Sequence, residues 1–315
     1  MEREGKDFLY LATPDEFQWI DRISFVKGNG AADADIHDPT RPRDWDFVMK
    51  HVVKPLVDGG HIAINKRFDD RKIRLDSFEI YSGGSAFPGP SGDMWNGLRL
   101  SVGPTWYKAF KADLDRSPQE NGTLQGMGLK DFGNRWAYFS MTLGVAVGVV
   151  TQDGHVYIGQ RASIGDTPGA LNFVAGHTTF NEDVDKIDNI QDALREVMEE
   201  TGILEDELVQ LPKTKSSIKN LSPIGIAMHP LTSDGDFCFV TQANVGDDYF
   251  EKGLWEDRIL AQGRKPEHEN FIGLKTSDDL NVLINEGKLK QFGKQTFPMI
   301  YSSRLIAQYL RNNLF

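Results

Sequence analysis

Apolar and polar positions follow two different patterns along the chain, and the pattern changes near residue 140. Before that point, alternation of apolar and polar residues predicts strands at Lys72–Tyr81 and Trp95–Val102, and the glycine- and proline-rich segment between them is predicted to be loop. The same region is predicted to hold a helix after Thr13, a loop at Lys27–Asp44, and helices at Trp45–Val57 and Thr105–Leu114.

After residue 140 two apolar runs flank an Asp153-Gly154 turn, which is a strong hairpin pattern ending at Arg161. Further strands are predicted at Ala170–Ala175, Ser222–Met228 and Asp236–Ala243, and helices at Ile190–Thr201, Asp247–Gln262, Ser277–Glu286 and Phe297–Asn313. The elements interleave without a regular βαβ rhythm, so we expect an α/β fold whose mixed sheet carries packed helices, rather than a Rossmann fold. The change of pattern predicts an amino-terminal α+β region at residues 1–138 and a second domain at 139–315.

Composition narrows the class of protein. Lys and Arg number 35 against 46 Asp and Glu, and the net charge of −11 argues against nucleic acid or anionic lipid as a partner. No apolar run approaches the ~18 residues of a membrane span, and the first residues lack the pattern of a secretory signal. Cys238 is the only cysteine, which excludes an intrachain disulfide and predicts a cytoplasmic protein. Oligomeric state is left open.

The most informative segment is Gln191–Ile203, which covers most of the predicted helix Ile190–Thr201. At about 100° per residue, Glu196, Glu199 and Glu200 share one face, whereas apolar residues fill much of the opposite side. Carboxylates at these spacings repel one another, and hard cations such as Mg²⁺ bind carboxylates together with substrate phosphates. The pattern therefore indicates a metal-bound phosphate site, in which Arg195 pairs with Glu199 and holds its orientation. The alternative is an ordinary solvated face.

Residues 195–203 read Arg-Glu-apolar-x-Glu-Glu-x-Gly-apolar, and in this they resemble the core of the Nudix hydrolase signature. The family signature begins with a glycine and, after five residues, a glutamate, and Gly176 and Glu182 stand at those positions. The next spacing differs, because the twelve residues between Glu182 and Arg195 are five more than in the family pattern. The insertion enlarges the loop before the helix and leaves the Arg-Glu-x-x-Glu-Glu spacing intact.

Resemblance to the Nudix family implies an α/β/α sandwich and hydrolysis of a nucleoside diphosphate linked to another group, with Mg²⁺ or Mn²⁺. It implies that Glu196, Glu199 and Glu200, with Glu182, bind the metal and that Arg195 orients them. Gly176 and His177 would lie beside the substrate. A late carboxylate, Glu269 or its competitor Glu267, would act as general base or extra metal ligand.

The amino-terminal region adds a closer resemblance, to a mammalian Nudix UDP-glucose and UDP-galactose pyrophosphatase. The residues that carry it are Ile73–Ser77, Leu98–Leu100, Thr105, Tyr107, Phe110, Tyr138, Leu143–Val145, Gly176-His177 and His268-Glu269. This resemblance implies a nucleotide-sugar substrate, cleaved to UMP and hexose 1-phosphate, with the amino-terminal region covering it. ADP-ribose, NADH, dinucleoside polyphosphates and coenzyme A remain alternative substrates, and a non-catalytic nucleotide-sugar sensor is an alternative of another class.

Other residues have both a functional and a structural interpretation. Arg161, Arg74 and Arg99 are candidates for binding a diphosphate, although exposed arginines on strands are common. The histidines His177 and His229 are candidates for catalysis or for hydrogen bonds within turns. Four aromatic residues could stack on a uracil base or fill the core, namely Trp95, Trp106, Tyr107 and Phe110.

Overall fold

The computed structural model describes residues 3–4, 9–12, 17, 20, 22–27, 71–81, 87–88, 94–162, 169–232, 234–286, 288–289, 297–298 and 301–315. Three predictions lie wholly or mostly outside these residues. They are the helix Trp45–Val57, the Lys27–Asp44 loop except Lys27, and the helix after Thr13-Pro14-Asp15-Glu16 except Phe17, which is helical.

In the first part of the chain the elements are β1 (Arg3–Glu4), β2 (Leu9–Ala12), β3 (Arg22–Lys27), β4 (Arg71–Tyr81), β5 (Phe87–Pro88), β6 (Met94–Trp95), β7 (Gly97–Trp106), α1 (Tyr107–Asp115) and α2 (Pro118–Phe132). The second part contains β8 (Leu143–Val150), β9 (Val156–Arg161), β10 (Leu171–Asn172), β11 (Val174–His177), α3 (Asn189–Thr201), β12 (Leu208–Val209), β13 (Ser222–Met228), β14 (Gly235–Ala243), α4 (Asp248–Glu251), α5 (Leu254–Ala261), β15 (His268–Leu274), α6 (Ser277–Glu286), β16 (Lys288–Leu289), β17 (Phe297–Pro298) and α7 (Tyr301–Leu314).

The main sheet is mixed, as predicted. Its strand order is β1-β2-β13-β14-β8-β9-β10, and β11, β12 and β15 pair with β8, β14 and β9 respectively. Strands β14 and β8 run parallel from the Gly235–Leu143 pair to the Gln242–Val150 pair, whereas the other pairings of this sheet are antiparallel.

Buried apolar side chains cover both faces of this sheet, because the side chains of a strand alternate between its faces. Val145 and Val147 of β8 share one core with Leu194 and Val197 of α3. The opposite face packs Ala146, with other residues of β8, β13 and β14, against α6 and α7. Helices on both faces of a mixed sheet confirm the predicted α/β sandwich. No helix among the described residues combines the length and apolar character that a membrane crossing requires.

A second, three-stranded sheet in the amino-terminal region has the order β3-β7-β4. Its strand β4 also bonds to the backbone that flanks β8 and β11. The amide of Ile73 donates to the carbonyl of Thr178 (3.1 Å), and that of Leu75 donates to Met141 (3.0 Å). The amino-terminal sheet is thereby attached to the segment that follows Gly176 and His177.

Several predicted boundaries were wrong for local reasons. The segment predicted as one helix from Asp247 to Gln262 forms two, α4 and α5, separated at Gly253, whose φ of 72° lies in the left-handed region. Strand β7 runs on through Trp106, so the helix predicted from Thr105 begins at Tyr107. The loop predicted between β4 and β7 contains the short strand β5, and Phe297–Pro298, predicted as helix, forms β17.

Helix α2 was not predicted, because its sequence has little apolar periodicity. Its start is nevertheless specified by a capping box: the Glu120 amide donates to the Ser117 hydroxyl oxygen (3.3 Å), and the Ser117 amide donates to the Glu120 carboxylate (2.8 Å). Pro118 at the first helical position reinforces this start.

We expect Ser117→Ala to lower the free energy of unfolding by about 1 kcal/mol, because the Glu120 amide loses its acceptor. Urea denaturation of both proteins measures the difference. Ser117→Thr serves as the matched control, since threonine keeps a hydroxyl that accepts from the Glu120 amide and donates to the Glu120 carboxylate, and it should preserve stability. Equal stability of all three proteins would show that this cap contributes nothing.

Candidate active site

The acidic helix α3 is fixed at both ends by residues that its sequence supplies. The Asp188 side chain accepts from the amide of Gln191 (3.0 Å) at the start. Gly202, with φ 73°, ends the helix, and its amide donates to the carbonyl of Met198. These caps fix where the helix begins and ends, and the burial of Leu194 and Val197 in the core fixes which face points inward.

Two of the three glutamates face inward rather than into water. The side chains of Glu196 and Glu200 are 12% and 1% exposed, against 18% for Glu199. The interpretation of this segment as a solvated face is therefore wrong for Glu196 and Glu200. Burying carboxylates costs free energy unless they are paired or bind a cation.

The carboxylate of Glu196 lies against the backbone of Gly176 in β11. A Cβ atom on Gly176 would come closer than 3.0 Å to the Cγ, Cδ and Oε1 atoms of Glu196, so only glycine leaves room for this carboxylate. Arg195 contacts it from the same helix, with its guanidinium nitrogen 3.1 Å from Oε1, and also contacts Asp192 (3.0 Å). Arg195 also lies 3.9 Å from Glu199, the residue with which it was predicted to pair.

Glu200 is held through one of its two oxygens. Its Oε2 atom accepts from the amide of Ala175 (3.3 Å) and lies 2.8 Å from Nε2 of His268 at the start of β15. Its Oε1 atom is buried and has no hydrogen-bond partner among the described residues. A buried carboxylate oxygen without a partner is costly, and it is available to a ligand.

Glu199 is paired with the guanidinium groups of two arginines. Arg264, in the segment before β15, places its guanidinium 2.5 Å from Oε2, and Arg195 lies 3.9 Å away. Arg264 was missed as a site residue, and His268 was named only as part of the sequence resemblance, without a role in the site. Their contacts span a long stretch of sequence, so no local pattern identifies them.

The donor set suits a hard divalent cation such as Mg²⁺ or Mn²⁺, because it consists of carboxylate oxygens, one of them without a partner. Within the part of the chain that the structure describes, no three His, Cys, Asp or Glu side chains already converge as a metal site. The arginine contacts of Glu196 and Glu199 offset part of the negative charge of these carboxylates.

Glu182 does not join the cluster of helix α3 in the described contacts. Its side chain is 62% exposed and pairs with Arg71 of β4. Its assignment as a metal ligand stays a prediction. The loop that contains the five inserted residues packs Val184 and Ile187 on the core shared with the amino-terminal sheet.

The two late carboxylates are placed differently. Glu267 lies 3.6 Å from Arg161 and is close enough to Glu196 to raise the pKa of its carboxyl group. Glu269 lies on strand β15 rather than in the loop before it, and is exposed where the pairing of β15 with β9 shifts register. The charge of Glu267 therefore acts on Glu196, whereas Glu269 is exposed. The choice between them as the late carboxylate stays a prediction.

Arg161 lies 3.6 Å from Glu267. Its residue is 8% exposed and its Nε atom is buried with no partner among the described residues. Arg74 donates from Nε to Asp76 (2.8 Å), and Arg99 stacks on Tyr81 with its guanidinium 5.4 Å from the ring centre. These two arginines have partners within the amino-terminal sheet.

His177, at the end of β11, packs edge-on against the rings of Tyr107 (5.8 Å between centres) and Phe110 (4.4 Å) of α1. Both aromatic residues are buried, which agrees with core packing. Trp106 lies 5.5 Å from the guanidinium of Arg71. The side chain of Trp95 is outside the described residues.

His229 belongs to a turn, as the structural interpretation predicts, because its Nδ1 atom accepts from the amides of Leu231 (3.3 Å) and Thr232 (3.2 Å). Cys238 is buried in β14.

Burial raises the pKa of Glu196 from its ordinary value of 4.5 to about 8, and the nearby charge of Glu200 adds to this effect, while Arg195 opposes it. In the metal-free protein, Glu196 ionises at lower pH in the unfolded chain than in the folded chain. Stability should therefore fall as pH rises from about 4.5 to 8. Glu196→Gln stays neutral, so at pH 8 it should be more stable than the unchanged protein by more than about 1.4 kcal/mol, the equivalent of one pKa unit.

Urea denaturation at pH 5 and pH 8 in the presence of a chelator measures this difference. Glu205→Gln, at an exposed position just beyond α3, is the matched control. If Glu196→Gln and Glu205→Gln show the same change in stability between the two pH values, burial does not raise the pKa of Glu196.

No family model matches the chain, and no curated protein matches it. Among solved structures it is similar to a NUDIX-family hydrolase from Clostridium perfringens, with 14% identity over 55% of this chain and 97% of that one (TM-score 0.31). It is also similar to a C. elegans Ap4A hydrolase in a binary complex (14% identity, 54% and 93%, TM-score 0.32). A NUDIX hydrolase from Nitrosomonas europaea gives 17% identity, 55% and 90%, and a TM-score of 0.30. Likenesses this weak do not assign a family.

Proposed function

We propose that this protein is a Nudix hydrolase that cleaves a nucleoside diphosphate-linked substrate with the help of Mg²⁺ or Mn²⁺. The observation that carries the proposal is the pair Glu196 and Glu200, buried side by side on α3 with one carboxylate oxygen lacking a partner. Such a pair would destabilise a helix with a purely structural role, because both carboxylates lose their hydration. A divalent cation supplies the missing compensation.

Glu196 and Glu200 would hold the cation from the inner face of α3, with Glu199 beside them on the outer side. The bound cation neutralises phosphate charge and lowers the pKa of a water molecule. Arg195 keeps the Glu196 carboxylate oriented. We assign Glu182 to the pairing of its loop with Arg71, since it is exposed and already bonded there.

We propose Glu267 for the late carboxylate that accepts a proton from the attacking water. Its proximity to Glu196 and its contact with Arg161 support this choice over the exposed Glu269. Arg161, buried with Nε free of a described partner, is the side chain that we assign to the diphosphate.

UDP-glucose and UDP-galactose are the proposed substrates, giving UMP and hexose 1-phosphate. Sequence resemblance in the amino-terminal region supports this choice. The attachment of β4 to residues 178–180 brings that region next to the strand end at His177. We therefore give the amino-terminal region the role of covering the nucleotide or sugar.

A product-resolved hydrolysis assay tests the proposal. The purified protein is incubated with Mg²⁺, then with Mn²⁺, against UDP-glucose, UDP-galactose, ADP-ribose, NADH, coenzyme A and diadenosine polyphosphates, and a chelator serves as control. We expect UMP and hexose 1-phosphate from the UDP-sugars, and no product with the chelator.

Faster cleavage of an adenine substrate would preserve the hydrolase and reject the UDP-sugar assignment. Tight binding of a UDP-sugar without turnover would instead favour a nucleotide-sugar sensor. Turnover that persists in the chelator would reject the metal-dependent reaction.

A further inference from the structure

His268 makes a buried contact with a proposed cation ligand. Its side chain is fully buried, and Nε2 lies 2.8 Å from Oε2 of Glu200, 68 residues earlier in the chain. The same oxygen accepts from the amide of Ala175 at 3.3 Å. Both contacts therefore restrain Oε2, and Oε1 of Glu200 is left without a described partner.

The surroundings of Nδ1, the second ring nitrogen of His268, indicate which of the two nitrogens carries the hydrogen. Nδ1 is buried and has no hydrogen-bond partner among the described residues. A hydrogen on Nδ1 would be a buried unsatisfied donor, whereas a hydrogen on Nε2 is donated to the Glu200 carboxylate. The geometry favours the tautomer that donates from Nε2.

The neighbouring strand β9 holds the imidazole in this orientation. A Cβ atom on Gly159 of β9 would come closer than 3.0 Å to three ring atoms of His268, so the ring occupies space that only glycine leaves open. On another side, the ring of Phe271 lies 4.9 Å from the imidazole, tilted by 56°. The close approach of Gly159, rather than the tilted contact with Phe271, therefore restrains the ring.

We infer that His268 is a positioning residue that holds the carboxylate of Glu200 by a hydrogen bond to Oε2 and thereby directs Oε1 toward the cation. This inference rests on the proposed function. Residues behind a metal ligand commonly set its orientation, and their loss typically lowers metal affinity 10- to 100-fold.

Core packing alone does not explain His268. An apolar side chain in the same space would leave no buried nitrogen without a partner, and it would avoid the cost that Nδ1 carries. What an apolar residue cannot supply is the donor to Glu200. The hydrogen bond is therefore the property to be tested.

The experiment measures Mn²⁺ binding to the full chain by calorimetry, without substrate. His268→Leu removes the donor, and His268→Gln replaces it, because the glutamine amide nitrogen lies at a similar reach to Nε2. Phe271→Leu is the packing control, since it alters a neighbour of the ring without touching Glu200. Urea denaturation establishes that each variant is folded.

We expect Mn²⁺ affinity to fall at least about tenfold in His268→Leu and to stay within about threefold of the unchanged protein in His268→Gln and Phe271→Leu. A second variant, Gly159→Ala, keeps His268 but displaces its ring, and it should weaken Mn²⁺ binding as His268→Leu does.

Equal Mn²⁺ affinity in the unchanged protein, His268→Leu and Gly159→Ala would overturn the inference and leave the proposed function standing. An equal loss in His268→Leu and Phe271→Leu would show that His268 acts by packing, which also overturns it. Failure of the unchanged protein to bind Mn²⁺ would reject the proposed function and, with it, this inference.

Discussion

Replacing Glu200 with glutamine is expected to lower the turnover of a diphosphate substrate by about two to four orders of magnitude, equivalent to roughly 3 to 5 kcal/mol of barrier height. The reason lies in the two donors that face one side of this carboxylate, the Ala175 amide and His268. The glutamine oxygen must accept from them, so its NH₂ group takes the position of Oε1. A donor then stands where the cation needs an oxygen.

The value of kcat at saturating Mg²⁺ measures this loss, and urea denaturation verifies that Glu200→Gln is folded. Glu205→Gln, on the exposed surface beyond α3, is the matched control and should retain full turnover. A Glu200→Gln variant with activity within tenfold of the unchanged protein would remove Glu200 from the metal site.

Gly176→Ala is expected to lower kcat/KM about 100-fold, or roughly 3 kcal/mol, while the fold survives. The added methyl group would collide with the Cγ, Cδ and Oε1 atoms of Glu196. These atoms belong to the flexible end of a side chain, so Glu196 can rotate away without moving the backbone. The carboxylate then leaves the site.

A double-mutant cycle with Glu196→Ala tests this explanation. In the Glu196→Ala background, Gly176→Ala should have no further effect on kcat/KM, because its target is already absent. Gly126→Ala is the control, since Gly126 is exposed on α2 with open space around the added methyl group. If the effects of Gly176→Ala and Glu196→Ala multiply, Gly176 acts by another route.

Local patterns predicted much of the fold. The start of α3 was predicted to within one residue, because its apolar face, its charged face and its terminating Gly202 all agree. Strands β13 and β14 were found because their apolar runs are bounded by polar turns. Helix α2 escaped detection, because it contains three glycines and presents mostly polar side chains, even though its capping box was visible in the sequence.

Only the part of the candidate site that lies on helix α3 was predicted. Periodicity placed three glutamates on one face, but burial is a property of the neighbouring strand, and only the contact with Gly176 shows that Glu196 points inward. Glu200 and His268 are 68 residues apart, and no spacing in a single sequence encodes that pair. The preference for Glu267 over Glu269 likewise depends on a register shift in β15.

Strand β4 is hydrogen-bonded to Met141, before β8, and to Thr178, after β11, and this has a consequence for folding cooperativity. Leu98 and Leu100 of the amino-terminal sheet belong to the same apolar core as Val145 and Val147 of the main sheet. The core therefore crosses the change of sequence pattern near residue 140. Residues on the two sides share their stabilising contacts, so loss of one sheet exposes apolar surface of the other. In denaturant, the two regions should unfold in a single transition.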